Sequence, residues 1–165
     1  MKSPRLIWLA ALMTAVMLVP STAGASTNVT AGAKQYLGDV APLNTMISKW
    51  NAETSKWTRS TTSAQIKAQT TPLIAAFRTF QKKLLGQLWP TKAVRDVVAL
   101  YTSVSFLESI LQSLDTLSMP SAGVYLSEAQ GQDSITASNA NPVRRELGLP
   151  DLKTRWGSRK LNYLF

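Results

Sequence analysis

A regular alternation of apolar and polar positions runs from Lys92 to Leu117. Its apolar members are Val97, Leu100/Tyr101, Val104, Leu107, Leu111 and Leu114, three or four positions apart. That spacing places one face of a helix against neighbouring elements. The stretch predicts a helix of 26 residues, about 39 Å long at 1.5 Å per residue. The other elements are expected to pack around it.

Two amphipathic segments precede it. The first covers Ala31 to Trp57, with apolar positions Ala33, Leu37, Val40, Leu43, Ile47, Trp50 and Trp57. Pro42 removes a backbone donor in its middle, which predicts a kink or break near Gly38 to Ala41. Trp50 and Trp57 share a face, as core residues or as the wall of a ligand pocket. Thr62-Ser63-Ala64-Gln65 then has the form of a capping box, where hydroxyl and amide each satisfy an orphan backbone donor. It predicts a second helix to about Leu88, with Leu73, Phe77, Phe80, Leu84 and Leu88 on its stripe, flanked by Ile74 and Leu85. Pro72 interrupts its early part, and Lys82 and Lys83 suit the negative end of the helix dipole. Leu88-Trp89-Pro90-Thr91 reads as a sharp turn.

After the central helix, Ser118-Met119-Pro120-Ser121 is a stop. Ala122 to Ala140 carries a diluted pattern, Val124, Ala129, Ile135 and Ala137, and predicts a fourth helix packed through small residues. Asn141-Pro142 reads as a new start, an N-cap followed by proline at the first helical position. The short turn to Leu147 then ends at Gly148, with Pro150 beyond. These elements predict an all-α fold, an up-down four-helix bundle with Pro-kinked first and second helices.

The first 25 residues have a different character. Lys2 and Arg5, the 14-residue apolar run Leu6 to Val19, Pro20 and Ala23-Gly24-Ala25 form the three regions of a cleavable export signal. The run is shorter than the ~20 residues a membrane-spanning helix needs. Cleavage would leave Ser26 first and divide the chain into a signal peptide (1–25), a bundle domain (26–150) and a basic-aromatic tail (151–165). The expected location is secreted or extracytoplasmic, at the cell envelope.

Charge then narrows the partners. The chain holds 18 Lys and Arg against 9 Asp and Glu. Six of those cations and two of the acids fall between Arg144 and Phe165. Such a tail favours an anionic partner, either cell-wall polymer or lipid headgroups, alongside another envelope protein; no nucleic acid is expected at an exported location. Cysteine and histidine are both absent. Their absence excludes thiol nucleophiles, Ser-His-Asp triads, ordinary zinc sites and E-x-x-H di-iron sites. No carboxylate, Tyr or Lys pair shows a diagnostic spacing, so no enzyme activity, cofactor or metal is expected.

Two stretches are familiar. Leu84 to Leu100 contains WPTKAVRDV, with Trp89, Pro90, Arg95 and Asp96 as its marked positions, and Ala140 to Pro150 reads ANPVRRELGLP. Both resemble a group of small exported helical proteins, often lipoproteins, common in actinobacteria. The group has no established activity; the resemblance implies a compact all-helical domain at the cell exterior. Two departures stand out: the lipid-attachment Cys of many relatives is missing, and residues 151–165 extend past the usual ending.

Few residues invite a chemical role. Glu108 borders the central stripe, either as a raised-pKa acid or cation ligand or as a boundary residue with a polar partner. Gln81 lies similarly in the second stripe and is the candidate to hydrogen-bond it. Asp96 is a candidate ion-pair partner for Arg144 or Arg145, fastening the ending to the core; alternatively Arg95 and Arg144 form an anion site. Lys153, Arg155, Trp156, Arg159 and Lys160 suit adsorption on an anionic surface, or form a loosely docked end. The favoured function is a non-catalytic, envelope-associated or secreted interaction module. The alternative is a carrier of an apolar ligand or lipid, which requires a substantial internal cavity reaching Trp50, Phe77 or Tyr101.

Overall fold

The computed structural model describes residues 30–152, all of them helix or connection among the described residues. Four helices follow one another: α1 (Ala31–Thr54), α2 (Ser63–Gly86), α3 (Val94–Leu114), led in by a 3-10 turn at Thr91–Ala93, and α4 (Ala122–Glu146). The fold is an all-α helical bundle. The signal region and the tail from Lys153 onward lie outside the described residues.

Each helix packs on the next in sequence, and α3 is the element that touches both α2 and α4 most extensively. Its stripe is the centre of the core, with Leu107, Leu111 and Leu114 fully buried beside Val97, Leu100 and Val104. Cross-helix contacts fix the register. Trp50 Nε1 donates to Thr70 Oγ1 at 3.4 Å, and Lys83 pairs with Asp39 at 2.9 Å, joining α1 to α2 at two levels. Gln132 and Asn139 of α4 donate to the carbonyls of Ser103 and Ala99 on α3. At one end, the Met119 amide donates to the Thr61 carbonyl, tying the α3–α4 connection to the α1–α2 connection. At the other end, Trp89 of the α2–α3 connection stands edge-on to Tyr36 of α1, ring centres 6.4 Å apart.

Helix starts follow local chemistry. The Thr30 hydroxyl accepts from the Ala33 amide at 3.2 Å and opens α1. The capping box at α2 is complete: the Gln65 amide donates to Thr62 Oγ1, and the Thr62 amide to Gln65 Oε1 at 2.9 Å. Trp50 and Trp57 are both core residues, stacked edge to face at 5.9 Å.

Four expectations are corrected. First, the break allowed for at Pro42 and the interruption at Pro72 do not form, each helix running continuously through its proline. Both prolines lie on exposed faces with Gly38 and Ala68, whose carbonyls lose a donor there and can be hydrated instead. Second, α2 ends at Gly86, so Leu88 leaves the buried stripe and stands in solvent, and Leu85, in the last turn of α2, is exposed as well. The Trp89 indole donates to the Leu84 carbonyl at 2.6 Å, which stops the helix and turns the chain. Third, Asn141-Pro142 starts no new helix, because α4 runs through both to Glu146. Burial of Ala140, Val143 and Leu147 on either side offsets the single amide lost at Pro142. Fourth, Val124 and Ile135 face solvent, while α4 buries Ala122, Leu126, Ala129, Ala137 and Ala140.

The end of α4 is a Schellman motif. Gly148 has φ of 72°, its amide donates to Arg145, and the Leu149 amide donates to Arg144 at 2.8 Å.

Candidate functional site

The polar chemistry of the bundle lies in three places. The first is Glu108 on α3, buried at the α2–α3 contact. Glu108 Oε1 accepts from Arg78 Nε at 2.8 Å and from Gln112 one helical turn ahead. Its other oxygen accepts from Gln81 Nε2 at 2.9 Å, the cross-helix pairing that the two stripes predict. Three donors converge on one carboxylate, which leaves it little capacity to bind a cation or move a proton. Arg78 and Gln112 carry no sequence signal of this role, since each stands on the polar side of its own helix.

The second is Asp133 on α4, a buried carboxylate with Oδ1 unpartnered among the described residues. Burial pushes its pKa up to about 7. Sequence reasoning misses it because Gln130 to Ser134 is a polar run. The available signal is the spacing Leu126, Ala129, Asp133, Ala137, Ala140, which sets Asp133 on α4's inward line. Asn44 Oδ1 and both side-chain polar atoms of Asn51, on α1, are buried without partners as well.

The third is the latch that holds the chain after α4. Arg144 is buried, and its Nε donates to the Pro150 carbonyl at 2.7 Å. Arg145 pairs with Asp151 at 3.2 Å, and the Leu152 amide donates to Asn141 Oδ1 at 2.7 Å. Tyr36 of α1 lies against Arg144; burial raises the phenol's pKa to about 12, with the guanidinium partly opposing. Asp96 takes no part in this. Its ion pair is with its neighbour Arg95 at 3.7 Å, and neither Arg144 nor Arg145 reaches it. The expected Asp96 bridge is therefore replaced by a guanidinium-to-carbonyl contact, because Arg144 points along its own chain end. Arg144 is buried with its Nε committed to the Pro150 carbonyl, whereas Arg95 is 94% exposed. Lys153, Arg155, Trp156, Arg159 and Lys160 lie outside the described residues.

Two hollows accompany these groups. A narrow hollow between Tyr36, Leu43, Phe80, Leu100, Val104 and Arg144 holds about 20 Å³, room for about one water. An open groove of about 640 Å³ runs along the outer faces of α3 and α4, lined by Phe106, Ile135, Ser105, Ser109, Gln132 and Asn139. No charged side chain lines it. Among the described residues no group of three or more acidic side chains is placed to hold a metal ion. The span Thr91–Leu114 is long and apolar enough to cross a membrane by length and composition, and half of its apolar window is buried in the bundle. A core helix passes the same test.

No family model, characterised protein or solved structure matches the chain.

Proposed function

We propose that this chain is an exported, non-catalytic interaction module of the cell envelope, built as an up-down four-helix bundle behind a cleaved signal peptide. The observation that carries this reading is the division of its chemistry. Buried polar groups face one another or are sealed from solvent, as Glu108 and Asp133 are. Cations and apolar side chains, by contrast, are displayed outside, at Lys82, Lys92, Arg95, Leu85, Leu88 and Phe106. The contacts of Asp39 with Lys83, Trp50 with Thr70 and Ser103 with Gln132 support antiparallel neighbours. The two family-like stretches agree with an exported setting. A carrier role has less support, since Trp50 and Phe77 are buried and the hollow beside Tyr36 and Phe80 is water-sized.

The test is fractionation of an exporting host. The protein is expected in the envelope fraction, shortened by about 25 residues on intact-mass measurement, and released by raised salt. Recovery of an unshortened chain in the cytosol, or a freely soluble form that isolated envelope fails to retain, would refute the proposal.

A further inference from the structure

Of the seven large apolar side chains exposed among the described residues, four fall in the short run from Leu85 to Val98. They are Leu85 (62% exposed), Leu88 (fully exposed), Val94 (48%) and Val98 (53%). This concentration is built rather than incidental. Gln87 is extended, Trp89 is anchored by its indole bond to the Leu84 carbonyl and its contact with Tyr36, and Pro90 follows. Leu88 is thereby held outward at the tip of the connection. Val94 and Val98 are one turn apart on the same side of α3.

Cations flank these residues along the chain. Lys82 and Lys92 are exposed and form no ion pair among the described residues. Arg95 is 94% exposed, and its contact with Asp96 is a loose 3.7 Å. Lys83 is held by Asp39, and those two carboxylates are largely shielded, at 14% and 22% exposure. Lys34, one half-turn before Tyr36, is exposed at the same end. Between Lys82 and Val98 the exposed charged side chains are therefore all cationic, and they alternate along the chain with the exposed apolar ones. Cations alone would suit any polyanion, including a wall polymer. Protruding leucines among them add a requirement that a hydrated polymer does not meet and an acyl boundary does.

We propose that the Lys82–Val98 end of the bundle docks on an anionic lipid bilayer. Leu85, Leu88 and Val94 insert at the headgroup level, while Lys82, Lys92 and Arg95 contact lipid phosphates. The inference rests on the envelope-associated reading above and names its partner and surface.

The test is sedimentation of the protein, as recovered from an exporting host, with vesicles of phosphatidylcholine alone or mixed with phosphatidylglycerol. Binding is expected for the mixed vesicles only. The K82E/K92E/R95E variant is expected to weaken it by more than a hundredfold, at about fivefold per cation lost. L85S/L88S is expected to weaken it at least tenfold, and L88S alone several-fold, with thermal melts unchanged for all three because the altered side chains are exposed. Equal binding to both vesicle types, no binding to either, or wild-type binding by L85S/L88S would overturn the inference; in the last case the tail from Lys153 is the binding element. Failure here with continued retention on isolated envelope removes bilayer docking alone and leaves the interaction-module reading standing.

Discussion

Asp133 makes the stability of this protein sensitive to pH. Burial raises its folded-state pKa from 3.8 to about 7, so the folded chain binds the proton more tightly than the unfolded chain. Its contribution is greatest below pH ~4 and is lost as pH rises through the window up to about 7. The full difference is about 4 kcal/mol at 1.36 kcal/mol per pKa unit. Asp115 shifts in the same direction through burial, with Lys67 opposing. Urea unfolding of Asp133→Asn is expected to show a flattened profile between pH 5 and 8 and greater stability than wild type at pH 8. A wild-type stability that rises across that range would show the carboxylate to be hydrated or paired. Unlike Asp133, the Glu108 carboxylate has partners, accepting from Arg78, Gln81 and Gln112. Arg78 is 57% exposed, so water screens the ion pair, and a double-mutant cycle on Arg78 and Glu108 is expected to give a coupling near 1 kcal/mol. The Gln81–Glu108 contact was legible because both residues interrupt apolar stripes. Asp133 was not, because a buried acid inside a polar run looks like a solvated face.

At the scale of elements, caps were the most legible features and helix ends the least. Thr62 and Gln65 announce α2 through hydroxyl and amide at the right spacing, and both reciprocal bonds form. Thr62→Ala is expected to cost 0.5–2 kcal/mol, about 1 being typical, in chemical denaturation. Gly148 is a stop as expected, but the helix it ends is α4 rather than a separate short turn. An added Cβ there meets nothing within 4 Å, so Gly148→Ala would cost only the left-handed backbone penalty, about 1–2 kcal/mol. What the sequence obscured was the continuity of α4 through Asn141 and Pro142. Local chemistry there favours a helix start, but Ala140, Val143 and Leu147 all bury on one face and carry the helix across. Asn141 instead accepts from the Leu152 amide. The ending's Asn, Arg and Pro thus act together as a latch rather than as a cap and a salt bridge.

At the scale of the whole molecule, stability and surface binding are expected to separate cleanly between two leucines in neighbouring elements. Leu107 sits at zero exposure in the middle of α3, touching the core that all four helices share. Leu88 has the same side chain in full contact with water. Leu107→Ala removes buried methyl groups and leaves a void in a close-packed interior, a cost of about 2–5 kcal/mol. That is a large fraction of the 5–15 kcal/mol typical of a domain. Leu88→Ala removes the same groups from solvent and should change the unfolding midpoint hardly at all. If the protruding leucine served the fold, through a contact formed only in solution, the two substitutions would converge. If it serves the bilayer, Leu88→Ala should lower vesicle binding while its denaturation curve overlays the wild type. Leu107→Ala should do the reverse, so long as binding is measured under conditions where that variant remains folded. The sequence alone could not draw this distinction, since it placed Leu88 on the α2 stripe with Leu84. Only the end of the helix at Gly86 moves that leucine from core to surface.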